Sequence, residues 1–167
     1  MTDAVAAGQR LHVPIRLRWA DLDAYNHVNN ASMLKLLEEA RVRALWTPEP
    51  GEEAPPTAVI DSGLGSGILT LVSRQEIEYL APVPYQRHAL DVQLWFGKIG
   101  GSSCEVCYEV CSPLETAGAD GQRVYARSTT VVVKVDAATG RPLRWSPAER
   151  AAWTPFQGEP IAYAHRR

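Results

Sequence analysis

Apolar and polar positions alternate from Val13 to Trp19, with one break at Pro14. That two-residue period predicts a first strand over 12–19, with the proline near its open end or on an edge, where no ladder hydrogen bond is lost. The period then changes. Met33, Leu36, Leu37, Ala40 and Ala44 fall at i, i+3, i+4, i+7 and i+11, the spacing of one helix face, and predict a helix over 31–46. Leu34, Val42, Leu45 and Trp46 widen its apolar surface, so other structure is expected around it. Asn29 or Asn30 is the natural N-cap, because a short side-chain oxygen accepts from the exposed amides of a first turn. A loop rich in Pro, Gly and Glu follows over 47–56.

Beyond it a short strand is expected at 58–61, then a turn built on Gly63, Gly65 and Gly67. These glycines lack the spacing and the following helix of a dinucleotide fingerprint. Strands are predicted over 68–80, 89–96, 103–111 and 124–135. Leu71, Ser73, Gln75, Ile77 and Tyr79 are expected on one face of the first of these, and Cys104, Val106, Tyr108 and Val110 on one face of the third. The centre of the last, Thr129 to Val133, is β-branched throughout. A Ser146-Pro147 start predicts a short helix near the end. One apolar helix against an antiparallel, meander-rich sheet is an α+β layout. Such a sheet can curl around the helix, and its remaining edge or face would be covered by self-association.

The chain of 167 residues is expected to form one domain over 1–167, with a loose arm over 1–11 and a C-terminal extension over 137–167. Hydrophobic content of 46% and charged content of 22% are ordinary for a globular protein. A net charge of −2 points away from general nucleic-acid binding. No apolar run approaches membrane-spanning length, and the first ten residues lack a secretion signal, so no membrane partner and a cytoplasmic location are expected. Cys104, Cys107 and Cys111 are spaced C-x2-C-x3-C, yet on a strand the first two point to opposite faces and cannot chelate one ion together. They are expected to be buried thiols, with no metal.

Candidate chemistry is concentrated in 19–33, where Asp21, Asp23, Asn26, His27, Asn29 and Asn30 crowd between the first strand and the helix. Asp23 can act as nucleophile or general base. The helix start supplies free N–H groups and the positive end of the macrodipole, where an oxyanion can be held. His27 can orient Asp23 or bond a carbonyl, and Asn26 can fix water. Asp21 is expected to brace the loop. An Asx-turn is the structural alternative for Asp23, and Glu38 and Glu39 on the helix are expected to face solvent or to pair with Arg41 and Arg43.

Arg18-Trp19-x-Asp21-x-Asp23-x-x-x-His27-Val28-Asn29-Asn30, followed by Leu37-Glu38-Glu39-Ala40-Arg41, resembles the signature of hotdog-fold acyl-CoA thioesterases of the 4-hydroxybenzoyl-CoA thioesterase-like group. Ile77-Glu78-Tyr79-Leu80-Ala81-Pro82-Val83 and Gly100-x-Ser102-Ser103 resemble later motifs of that group. The resemblance implies a hotdog fold: a curled antiparallel sheet wrapped around one long central helix. It implies an acyl-CoA thioester hydrolase in which Asp23 matches the catalytic carboxylate, His27 the neighbouring histidine, and backbone amides around Asn29 and Asn30 the oxyanion site. Asn26 stands where many relatives have Gly, and Met33 where they have an aromatic residue. A relative of this fold uses a helix glutamate as its base, so the resemblance leaves Glu38 as a second-choice base. No cofactor is implied, coenzyme A being part of the substrate, and a homodimer or homotetramer is expected. A non-catalytic acyl-CoA-binding module and a hotdog enoyl-CoA hydratase are the alternatives, although the hydratase pattern of Asp-x4-His with a nearby Pro is not matched by Asp23-x3-His27.

Overall fold

Five strands and two helices make up the fold in the computed structural model of the chain, which describes residues 8–61 and 63–164. In chain order they are β1 (Leu11–Ile15), α1 (Asn30–Leu45), β2 (Ile68–Tyr79), β3 (Leu90–Ile99), β4 (Ser103–Cys111), β5 (Val124–Asp136) and α2 (Pro147–Trp153). Every strand pair is antiparallel and the sheet order is β1-β3-β4-β5-β2. The meander β3-β4-β5 is local, whereas β1 and β2 are carried to opposite edges. Most of the arm expected over 1–11 lies outside the described residues; Leu11 itself opens β1 and is buried.

Alternation within the strands decides which face carries the core. Leu90, Val92, Leu94 and Phe96 of β3 join Cys104, Val106, Tyr108 and Val110 of β4 in one apolar cluster. Met33, Leu36, Leu37, Ala40, Ala44 and Leu45 of α1 complete it, so the 16-residue helix buries the face its spacing predicts. At roughly 1.5–3 kcal/mol per large apolar side chain removed from water, this face holds the helix to the sheet. The helix start is capped by Asn29, whose Oδ1 accepts from the Ala31 amide at 2.8 Å.

Three expectations are corrected. The first strand stops at Ile15 rather than running to residue 19, because β3 begins at its partner Leu90 and offers no further ladder. Residues 58–61 make no strand; Ile60 forms an isolated parallel bridge to Trp46, just past the end of α1. In β2 the register shifts between Val72 and Arg74, leaving Ser73 as an extra residue. Gln75, Ile77 and Tyr79 therefore share the helix-facing side with Thr130, Ser128 and Ala126, while Leu71 pairs with Val133 on the opposite face.

The core helix is also not alone. Trp153 of α2 stacks on Phe96 at 5.0 Å and meets Trp145 edge-on at 4.8 Å. Its indole N–H donates to the Thr57 carbonyl at 3.0 Å, and the Thr57 hydroxyl donates to the Ala44 carbonyl at 2.7 Å, which joins α2 to the end of α1. After α2 the chain crosses to the other face, where the Trp95 indole donates to the Glu159 carbonyl and the Tyr163 hydroxyl to Thr129 Oγ1 at 2.7 Å.

Candidate active site

A turn of 3-10 helix at Trp19–Asp21 redirects the chain after β1. Asp21 is buried and braces it. Its carboxylate accepts from the Arg18 amide at 2.7 Å and the Arg18 guanidinium at 3.0 Å, and its carbonyl accepts from the Asn29 amide at 2.8 Å. The bond to Asp21, with the guanidinium's attraction to the same carboxylate, lifts the Arg18 pKa above its usual value. Asp21 thus ties the entry of the loop to its exit at α1.

Asp23 shapes the interior of the loop. Its Oδ1 accepts from the Tyr25 amide at 2.8 Å and the His27 amide at 3.3 Å, while its own amide donates to the His27 carbonyl at 2.8 Å. The Asx-turn is therefore present. It occupies one carboxylate oxygen, and Oδ2 has no partner among the described residues. Asn26 closes the turn by donating its amide to the Asp23 carbonyl at 3.1 Å, with φ at +60°. That left-handed backbone explains why glycine suits the position and why Asn, among side-chain-bearing residues, tolerates it. The Asn26 side chain and the His27 ring have no hydrogen-bond partner among the described residues. The isolated bridge Leu22–Val28 closes the loop on itself, and the bridge His27–Pro84 pins it against the segment after β2.

At the helix start the amides divide unequally. Asn29 N–H is taken by Asp21 and Ala31 N–H by the Asn29 side chain, leaving the N–H groups of Asn30 and Ser32 without partners among the described residues. The amide expected from Asn29 is thus occupied. Asn30 remains available, and Ser32, which periodicity and motif did not single out, joins it. Such orphan donors at the positive helix end favour negative charge.

Glu38 does not reach this constellation. It lies eight residues into α1, about 12 Å along the axis at 1.5 Å per residue, on an exposed face. Glu39 pairs with Arg43 at 2.9 Å, and the Arg41 guanidinium donates to the buried Tyr108 hydroxyl at 3.3 Å. Two aromatic features frame the site. The Tyr79 hydroxyl, at the end of β2, donates to the Asn30 carbonyl at 3.0 Å, and partial burial keeps its pKa above the usual phenol value. Trp19, 71% exposed, stacks on Tyr85 with centroids 4.3 Å apart. Tyr79 belongs to the Ile77–Val83 motif, yet only strand pairing reveals that it meets the helix start.

The three cysteines are free and buried. Cys104 belongs to the core cluster, while Cys107 pairs in register with Trp95 on the other face. Burial pushes the Cys104 and Cys111 thiols up to about 12. Among the described residues no three His, Cys, Asp or Glu side chains gather as a metal site, and no helix is long and apolar enough to cross a membrane.

Residues 17–153 match the family model described as the thioesterase-like superfamily. Among solved structures, the PA2801 protein of Pseudomonas aeruginosa, provisionally described as a thioesterase, is 30% identical with a TM-score of 0.67, covering 86% of this chain and 98% of its own. A Thermus thermophilus thioesterase complexed with coenzyme A and Zn is 27% identical with a TM-score of 0.62, covering 91% and 96%. A DHNA-CoA thioesterase from Staphylococcus aureus is 16% identical, covering 86% and 88%, with a TM-score of 0.64 that speaks to the fold alone. No curated protein sequence matches the chain.

Proposed function

Because this chain belongs to the thioesterase-like superfamily, we propose that it hydrolyses an acyl-CoA thioester to a free acid and coenzyme A, with Asp23 as nucleophile or general base. One observation carries the proposal: among the described residues, an unengaged Asp23 oxygen sits on a loop laced to a helix start that holds two unsatisfied amides. The Asn30 and Ser32 N–H groups receive the thioester oxygen and stabilise the charge that grows on it. Along one route Asp23 Oδ2 attacks the carbonyl carbon and the C–S bond breaks. Water then cleaves the resulting anhydride and restores the carboxylate. Along the other, Asp23 takes a proton from the attacking water, the C–S bond breaks, and the departing thiolate receives that proton. Coenzyme A thiolate leaves readily enough that a strong general acid is dispensable. The His27 ring, without a partner among the described residues, orients Asp23 or the carbonyl, and the Asn26 side-chain amide positions water.

The exposed edge strand β2, with Leu69, Leu71 and Val72 each nearly half exposed, supports a homo-oligomer as the working form, since a long unpaired apolar edge is otherwise an aggregation hazard. Tyr79 and Leu80, at the end of that edge beside the helix start, offer the acyl group an apolar wall.

The test is thiol release in its simplest form: purified protein, acyl-CoAs of graded length and aromaticity, and a thiol reagent. Wild type is expected to release thiol. Asp23→Asn keeps an Oδ1 acceptor for Tyr25 and His27, so folding is retained while most of the rate is lost. Full rate in Asp23→Asn rejects the carboxylate assignment. Binding of acyl-CoA without thiol release replaces the hydrolase by a binding module, and hydration of an enoyl-CoA replaces it by a hydratase.

A further inference from the structure

A groove of about 980 Å³ runs between the end of β1, the outer face of α1 and residues 87–89. Its charges are unevenly matched. Arg18 pairs with Asp21, Arg43 with Glu39 and His88 with Glu115. Arg16, Lys35 and Arg87 also line it and have no carboxylate partner among the described residues; Arg16 reaches only the Arg87 carbonyl, at 3.5 Å. The one lining carboxylate without a partner there is Glu38, so unpaired cations outnumber unpaired anions three to one. Trp19 follows Arg18 in the chain, and its partner Tyr85 precedes Arg87 by two residues. With one ring face on Tyr85 and 71% of the residue exposed, Trp19 presents a flat surface next in the chain to the groove-lining Arg18, outside the lining itself.

We propose that this groove seats the nucleotide half of coenzyme A, with Arg16, Lys35 and Arg87 on its phosphates and the open face of Trp19 against adenine. The assignment rests on the acyl-CoA reading above and extends it to a subsite. The two sides of the α1 start differ chemically: Tyr79 and Leu80 lie toward β2, whereas the cationic groove lies toward β1. An acyl group and a polyanionic nucleotide joined at one thioester call for that division. Lys35 stands about 7.5 Å along the helix axis from Asn30 and Arg43 about 20 Å, so the groove begins one turn from the orphan amides and leads away from them. Arginine suits phosphate because its planar fork bonds two oxygens at once, and an aromatic face stacks on a base without reading its identity.

The experiment compares kcat/KM for one acyl-CoA with that for the same acyl group on N-acetylcysteamine, which has no nucleotide. In Arg16→Glu/Arg87→Glu the ratio of the two is expected to fall roughly tenfold or more, since attraction becomes repulsion at two contacts. Trp19→Leu should lower the ratio about fivefold or more, with Trp19→Tyr restoring it. Arg141→Glu, an exposed charge change outside the groove, should leave it unmoved. Calorimetric titration with adenosine 3′,5′-bisphosphate should show binding to wild type that weakens with salt and is lost in the double variant. An unchanged ratio in an enzyme that hydrolyses acyl-CoA overturns the groove assignment and leaves the hydrolase standing. If no thioester is hydrolysed, the hydrolase falls, and the titration decides the groove: binding lost on charge reversal sustains it, and absence of binding overturns it.

Discussion

The extension after β5 is fastened to the sheet by a buried ion pair whose removal has a calculable cost. Lys134 Nζ lies 2.9 Å and 3.0 Å from the two oxygens of Glu149, and both residues are only 6% exposed. Glu149 also accepts from the Ser146 amide at 2.6 Å, while Ser146 Oγ accepts from the Glu149 amide at 3.1 Å, closing a capping box on α2. Glu149→Ala leaves the ammonium buried beside Trp145, whose ring centroid is 5.7 Å away, with no carboxylate to offset its desolvation. Loss of one partner from such a pair costs about 3–5 kcal/mol, a large share of the roughly 5–15 kcal/mol that holds a domain folded. For a chain of this size it corresponds to a melting temperature lower by roughly 6–20 °C. Urea unfolding followed by tryptophan fluorescence measures it directly, because Trp145 lies beside the pair and Trp153 packs on Trp145. The midpoint should fall with the slope unchanged. Lys134→Met/Glu149→Leu, which removes both charges and keeps volume, should recover most of the loss. A loss below about 1 kcal/mol in Glu149→Ala, or a double variant as unstable as the single one, would refute the reasoning.

Asn29→Ala removes the side-chain acceptor of the Ala31 amide and should cost about 1 kcal/mol in the same unfolding assay. At Asn26, where φ is +60°, Gly should leave stability nearly unchanged, whereas Val should cost about 1–2 kcal/mol. The Cys104 and Cys111 thiols, held up near 12 by burial, should resist iodoacetamide at pH 8 until the protein is unfolded in urea, as read by mass. These thiols ionise more easily once unfolded, so their contribution to stability is complete below about pH 9 and should be lost as pH rises toward 12.

Periodicity was sufficient where a single face is buried against a single neighbour. The α1 pattern through Met33, Leu37, Ala40 and Ala44 has one solution, and the observed helix buries those residues. Alternation failed where pairing, rather than composition, sets the outcome. Arg16-Leu17-Arg18-Trp19 continues the β1 pattern, but the β1–β3 ladder ends at the Ile15–Leu90 pair and the chain turns instead. Ser73 carries no mark of a bulge, yet one extra residue there reverses the facing of Leu71 relative to Gln75 and brings Tyr79 to the helix start. Partners of β2 were equally hidden, because its pairing with β5 joins distant segments.

The candidate site divides along the same line. A dense run of Asp, Asn and His before a helical period is visible in one dimension, and it localised Asp23 and His27. How the loop apportions its donors is not, since this depends on the Asp21 carbonyl reaching Asn29 and on Asp23 Oδ1 serving two amides at once. That apportionment makes Asp23 both scaffold and candidate reagent. One oxygen holds the turn that aims the other, so Asp23→Ala would confound folding with chemistry and only the isosteric amide separates them. The same logic accounts for Asn26: its left-handed backbone closes the turn that keeps the Asp23 carboxylate in place. A substitution there that strains the turn should disturb the rate through Asp23, beyond any loss of the water its side chain positions.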